Sequence, residues 1–193
     1  LQTFRQRRQL PDTYLLYVGS DRPHKNIATL LRLLAQDLAR ELPLLVVAGM
    51  QSDTPALRKN VAKLGVGERV KFMGTLPEAD LPLLYGAASM LLFPSLDEGF
   101  GLPLLEALAC GTPVVCADTP IFREIGGAAV VAVPPLDIAA WHLAITQLWR
   151  DAEHQHELRR RGLQHVMPFT WERTAAATWE IYRQAGCGTE SRG

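Results

Sequence analysis

The chain has 193 residues, 48% of them hydrophobic, with 20 Lys and Arg against 20 Asp and Glu. That length and apolar content suffice for one globular domain with a sizeable core, and a net charge of zero excludes the basic footprint of a nucleic-acid binder. No run of about 18 apolar residues is present to span a bilayer, and the opening "LQTFRQRRQLPD" has no apolar stretch like that of a secretory signal, so the chain reads as cytoplasmic.

The three cysteines, Cys110, Cys116 and Cys187, have neither an even count nor metal-ligand spacing, which leaves reduced thiols as the expectation. The first residue is Leu1 rather than methionine, which suggests a piece of a longer protein.

In chain order, residues 1–12 read as a linker remnant. Short Val- and Leu-rich runs then alternate with amphipathic segments, the pattern of strands buried on both faces and joined by helices. Six strands are expected, at Tyr14–Val18, Leu44–Ala48, Arg69–Met73, Met90–Pro94, Pro113–Ala117 and Ala129–Val133. The clearest helix is Ile27–Leu38, where Ile27, Leu30, Leu31, Leu34 and Leu38 recur on one face. Further helices are expected at Pro55–Leu64, Glu78–Ala88, Pro103–Ala109 and Asp137–Trp149. Two more follow the last strand, "EHQHELRRRGLQHV" and "WERTAAATWEIYRQA", the second capped by Thr170. Residues 186–193 read as a disordered tail.

Such alternation predicts an α/β, Rossmann-like open parallel sheet with helices on both faces, occupying residues 13–185. Ligands of these sheets bind beyond the carboxyl ends of the strands, which directs attention to the loops there.

The first loop, "GSDRPHKN", carries Arg22, His24 and Lys25 before a helix start, where cations favour a phosphate. A solvated basic turn would read the same way. Neither a GxGxxG fingerprint nor a Walker loop occurs, so a dehydrogenase or P-loop NTPase is not expected.

The fourth loop is "DEGFGLPLLEALACGTPVV", from Asp97 to Val115. Gly99 and Gly101 can take positive φ and let backbone amides approach a ligand closely. Pro103 suits a first helical turn, whose unpaired N–H groups and dipole favour an anion. The carboxylates of Glu98 and Glu106 offer acceptors, which select hydroxyl donors. A diphosphate flanked by polyol rings, as in a nucleotide sugar, matches both halves of that pattern. Taken singly, each glutamate could instead do no more than complement the helix dipole.

"EGFGLPLLE", Glu98 to Glu106, resembles the E-x7-E motif of the retaining GT-B glycosyltransferases of family 4. "YVGSDRPHKN" is similar to that family's phosphate loop, "VKFMGTLPEADLPLLYGAAS" to its base-binding loop and following helix, and "FTWERTAAATWEIY" to its closing helices. The motifs stand in family order from Tyr14 to Tyr182.

The resemblance implies the C-terminal, donor-binding half of a GT-B fold and a retaining hexosyltransferase. Lys25, with Gly19 and Ser20 nearby, would neutralise the departing phosphate, assisted by Arg22. Glu98 would contact hydroxyls of the donor hexose, and the amides of Gly99, Phe100 and Gly101 would hold that sugar. Leu102 would meet the diphosphate, Glu106 the ribose, and the backbone of Thr75 and Leu76 the base. The family often has an arginine directly after the first-loop glycine. Ser20 stands there in this chain, making Arg22 or His24 the candidate replacement.

No cofactor and no metal are implied. The donor is left between GDP-mannose, toward which "GSDRPHKN" leans, and UDP-hexoses including UDP-N-acetylglucosamine. The implied partner is an N-terminal acceptor-binding domain of the same protein, without which the isolated half is expected to be inactive or weakly active. Peripheral membrane contact of the full-length enzyme stays open, because lipid-acceptor relatives dock on membranes.

Two alternatives are weighed: a nucleotide-sugar epimerase of GT-B architecture, and a non-catalytic nucleotide-binding module. The remaining features read blandly. His154 and His156 point apart on a helix, Arg5–Arg8 and Arg159–Arg161 are solvated faces, Asp97 and Asp118 are turn and cap residues, and Trp141, Trp149, Trp171 and Trp179 fill packing interfaces.

Overall fold

The computed structural model describes residues 1–49 and 52–187, the last of these by its backbone alone. Six parallel strands form one sheet: β1 (Tyr14–Val18), β2 (Leu44–Ala48), β3 (Val70–Gly74), β4 (Met90–Phe93), β5 (Val114–Ala117) and β6 (Val131–Val133). Their order is β3-β2-β1-β4-β5-β6. This is the doubly wound arrangement, with its switch point between β1 and β4. Register there runs Leu15 to Met90 and Leu16 to Leu91. All of β4 and β5 and the first four residues of β1 are buried, as the unbroken apolar runs require of strands covered on both faces.

The helices are α1 (Gln2–Arg8), α2 (Ile27–Gln36), α3 (Pro55–Lys63), α4 (Leu81–Ala87), α5 (Leu102–Ala109), α6 (Pro120–Gly126), α7 (Ile138–Arg150), α8 (Ala152–Val166) and α9 (Trp171–Cys187). Side-chain caps fix several starts. Thr54, Thr119, Asp137 and Asp151 each accept from an amide three residues on. Thr170 does the same for Arg173, as its sequence position suggested. Among the described residues no helix is long and apolar enough to cross a membrane.

Several expectations are corrected. Helix α2 stops at Gln36, and Leu38, expected on its apolar face, is 90% exposed. The cause is Asp37, whose carboxylate turns back to accept from the amides of Glu41 and Leu42 and from Arg69. That bond network ends the helix before the last apolar residue of the stripe. Helix α6 had no expected counterpart, because seven residues carry too little periodicity to register.

Residues 1–12 pack onto the domain. Phe4 and Leu10 enter the core, and Gln9 closes α1 at φ 52°. Arg5 donates to the Ala87 carbonyl at 2.9 Å, and Arg7 and Arg8 both pair with Asp80. These arginines are therefore not a purely solvated face.

Trp141 is fully buried and Trp149 packs against the core, but Trp171 and Trp179 are 76% and 71% exposed. They lie on α9, which presents Ile181 and Tyr182 to solvent as well. The stretch 186–193 begins inside α9, whose end is Cys187, and its remainder lies outside the described residues.

Candidate functional site

The neighbouring positions of β1 and β4 bring their following loops together. After β1 the chain passes Gly19 and Ser20, makes a 3-10 turn over Pro23–Lys25, and enters α2 through Asn26 in the left-handed region, φ 54°. The Ser20 carbonyl accepts from the buried Tyr17 hydroxyl at 2.6 Å. Burial first, then the negative charges of Glu98 and Asp21, push the Tyr17 phenol upward, which keeps it a donor.

Asn26 fastens this loop to two others. Its Nδ2 donates to the carbonyls of Pro94 at 3.1 Å and Pro135 at 3.2 Å, and its Oδ1 accepts from Thr29. The amide of Leu96 donates to the His24 carbonyl at 2.7 Å. The loops after β1, β4 and β6 thus form one unit.

Within that unit Lys25 Nζ lies 2.6 Å from Glu98 Oε1. Their side chains are 20% and 10% exposed, so the pair is partly sheltered from water. Arg22, just before the turn, is exposed, and among the described residues its guanidinium forms no hydrogen bond or ion pair.

Beyond Glu98 the loop reaches the start of α5. Gly101 caps the helix at φ 88°, and a Cβ there would meet the Phe122 ring at 3.0 Å. Gly99 differs from the expectation: its φ is not positive, and a Cβ would meet nothing within 4 Å. The fold itself does not demand glycine at 99. Phe100 and Leu102 are about half exposed, at 48% and 47%. Pro103 has no N–H and Leu104 donates to the Gly101 carbonyl at 3.0 Å, so among the described residues the Leu102 N–H is the free helix donor at this end of the sheet.

Glu106 lies in the second turn of α5, exposed, with Oε2 accepting from the Tyr85 hydroxyl at 2.8 Å. It also borders an apolar groove of about 620 Å³ lined by Phe100, Leu102, Leu105, Phe169 and Trp171 among others.

Thr75 and Leu76 follow β3, two strands out from β1. Thr75 is exposed and Leu76 half-buried. The Gly74 carbonyl accepts from the Gly49 amide at 2.9 Å, while Gly19 donates to Ala48, so the ends of β1, β2 and β3 are tied in series. A Cβ on Gly49 would lie 2.8 Å from the Gly19 carbonyl oxygen, a close approach that only glycine permits.

The structure therefore joins Lys25 to Glu98, leaves Gly19 and Ser20 at the end of β1 bonded to Ala48 and Tyr17, and sets Glu106 on the helix that follows Glu98. Arg22 stays outside the bonded cluster, and Thr75 and Leu76 occupy a separate strand end. Asn26, Tyr17 and Tyr85 were missed in the sequence reading. An asparagine at a turn-to-helix boundary is a legible signal for the left-handed region. Tyr85 carries no local signal, since its partner lies 21 residues away on another helix.

His154 and His156 are exposed on α8, and among the described residues no group of three or more His, Cys, Asp or Glu could hold a metal ion. Arg160 and Arg161 both pair with Glu157 at the surface. Asp118 pairs with Arg123, and the cap of α6 is Thr119 instead.

Comparison with known proteins agrees with this architecture. The chain is 34% identical over 174 residues to O-antigen chain mannosyltransferase B of Escherichia coli, an alignment covering 88% of the chain and 45% of that protein. It is 34% identical over 198 residues to D-inositol 3-phosphate glycosyltransferase of Salinispora tropica, covering 94% of the chain and 40% of that protein. The chain thus spans less than half the length of these curated relatives.

Among solved structures, sucrose-phosphate synthase from Thermosynechococcus elongatus superposes with a TM-score of 0.84 at 29% identity, covering 98% of this chain and 50% of that one. The family model described as glycosyl transferases group 1 matches residues 2–165, a span that takes in the whole sheet and both loops of the Lys25–Glu98 cluster. With that match over most of its length, the chain belongs to the glycosyl transferases group 1 family.

Proposed function

We propose that this chain is the nucleotide-sugar-binding, C-terminal half of a retaining hexosyltransferase of GT-B architecture. The observation that carries the reading is the Lys25–Glu98 pair at the switch point beside the start of α5, which sets a cation, a carboxylate and the Leu102 N–H, free among the described residues, at one end of the sheet.

Each group has a task there. The diphosphate lies against the amides at Leu102 and its neighbours, where the helix dipole favours negative charge. Glu98 and the amides of Gly99, Phe100 and Gly101 hold the hexose hydroxyls. Glu106 accepts from the ribose, and the backbone at Thr75 and Leu76 meets the base.

Transfer breaks the bond between the anomeric carbon and the phosphate oxygen, whose electron pair leaves with the nucleotide diphosphate, while the acceptor hydroxyl oxygen bonds that carbon and its proton passes to the departing phosphate. Lys25 and the α5 amides stabilise charge that grows on that leaving group, and their preorganisation supplies the catalysis. The Lys25 ammonium has three donors, so it serves a phosphate oxygen while keeping Glu98 in place. Arg22, exposed beside the turn and unpaired among the described residues, is the second cation, in the role that Ser20 cannot fill.

The acceptor is the business of a preceding domain. Support comes from the alignments, in which the chain spans 45% and 40% of the two relatives named above. The E. coli relative is a mannosyltransferase by name, and with the form of the first loop this favours GDP-mannose over UDP-hexoses.

The test is thermal unfolding of the chain with UDP, GDP, ADP, dTDP and their sugars. Ligand that binds only the folded state adds roughly 2.7 kcal/mol to the unfolding free energy at a hundred times Kd and so raises the midpoint by mass action. A rise with guanine nucleotides, lost in Lys25→Ala and Glu106→Ala, is expected. A rise with uracil nucleotides alone would replace the base assignment, and no rise with any of them at millimolar concentration would overturn the donor-site reading for this chain.

A further inference from the structure

A carboxylate that reads a hydroxyl must be held in one orientation, and an exposed glutamate with three free torsions is not. Glu106 is exposed, yet its Oε2 is engaged at 2.8 Å by the Tyr85 hydroxyl. The donor is itself immobile. Tyr85 is 1% exposed in the core, at the foot of α4, and its own carbonyl accepts from the buried Thr112 hydroxyl at 2.7 Å. Thr112 is in turn tied through its amide to the Ala107 carbonyl of α5. One chain of bonds therefore runs from the backbone of α5 through Thr112 to Tyr85 and back to the side chain of Glu106.

We propose, on the basis of the donor-site reading above, that Tyr85 is a positioning residue that fixes Glu106 with Oε2 occupied and Oε1 free, so that the nucleotide's ribose hydroxyls meet one oriented acceptor. The direction of the bond is secure. Burial, and then the charge of Glu106, push the Tyr85 phenol well above its ordinary value, so it remains the donor and Glu106 the acceptor throughout the physiological range. The remaining lone pairs of an exposed carboxylate anchored at one oxygen can accept from the hydroxyl donors of a ligand. A nucleotide lacking both ribose hydroxyls gains nothing from that arrangement, which makes Tyr85 a determinant of discrimination between ribose and 2′,3′-dideoxyribose that never touches the ligand.

The experiment is calorimetric titration of the wild-type chain and of Tyr85→Phe with GDP and UDP and with their 2′,3′-dideoxy forms. Tyr85→Phe keeps the ring in the core and removes only the donor. The wild type is expected to prefer the ribonucleotide, and Tyr85→Phe to bind that ribonucleotide roughly fivefold to tenfold more weakly while its affinity for the dideoxy form is unchanged. Equal weakening toward both forms would mark a merely structural role and overturn the proposal, as would no weakening at all. If the wild type binds both forms alike, the ribose role of Glu106 falls and the Tyr85 proposal with it, whereas the Lys25 and helix contacts of the donor site would still be read out by the dideoxy affinity. Placing 4-aminophenylalanine at position 85 restores an N–H donor on the same ring. Recovered ribose preference there supports positioning, and its loss in that folded variant overturns it even should the phenylalanine chain not fold.

Discussion

Lys25 and Glu98 are 73 residues apart in the chain and 2.6 Å apart in the structure. Their meeting follows from one topological fact: β4 pairs with β1, so the loops leaving both strands share an end of the sheet. Because both side chains are mostly shielded, each leaves the other a stranded charge when removed. Lys25→Ala should therefore lower stability by about 1–3 kcal/mol, while Lys25→Ala combined with Glu98→Ala should recover to within about 1 kcal/mol of wild type. Urea unfolding of the two singles and the double decides it. A double mutant as unstable as the sum of the singles would show that the pair is not coupled.

The two glycines of the fourth loop should behave differently. Gly101→Ala forces a Cβ at φ 88° against Phe122 at 3.0 Å and should cost about 1–2 kcal/mol. Gly99→Ala enters open space and should change the unfolding free energy by less than about 0.5 kcal/mol. Its effect, if the loop holds a sugar, belongs to ligand affinity alone. Paired denaturation and nucleotide-sugar titration of both variants separate folding from binding.

Asn26 combines a left-handed backbone with two long-range hydrogen bonds, to Pro94 and Pro135. Asn26→Ala loses both bonds and the one accepted from Thr29, and keeps the unfavourable φ, for an expected loss of about 2–3 kcal/mol. Asn26→Gly relieves only the backbone and should be the milder of the two. Should glycine prove the worse in chemical denaturation, the backbone argument would be wrong.

Acid should act through Asp37. Burial alone raises this carboxyl, but the hydrogen bonds from Arg69, Leu42 and Glu41 and the Arg69 charge outweigh it and hold it below its ordinary value of 3.8. A depressed folded value contributes stability that is present above the unfolded value and is lost as pH falls through the folded one. Wild-type stability should thus decline below about pH 4 more steeply than that of Asp37→Asn, which has no carboxylate to protonate at this site. Unfolding free energies at pH 6 and pH 3 for the two chains give the difference directly, and parallel declines would assign the acid sensitivity to other groups.

The six strands were legible because each is a short Val- and Leu-rich run bounded by turn residues, and a parallel sheet covered on both faces needs nothing else locally. The "EGFGLPLLE" unit was legible for a similar reason: glycine, proline and carboxylate act at fixed short spacing along one loop and one helix start. Lys25 could be named as a cation at a strand end, and Thr170 as a cap, from neighbours within a few residues.

What depended on distance along the chain was decided by the fold alone. The end of α2 was misjudged because Asp37 answers to Arg69, and the exposure of Trp171 and Trp179 because an amphipathic pattern says that a face is apolar but not what covers it. Glu98 was recognisable from its loop, but its pairing with Lys25 came only from strand order, and the hydroxyl that orients Glu106 came only from α4 lying against α5. Residue type and local spacing set the chemistry this sequence carries, because caps, turns and strand runs act over a few residues. Which of those chemistries meet is set by tertiary packing, because a contact between elements is a property of both chain segments and is written in neither.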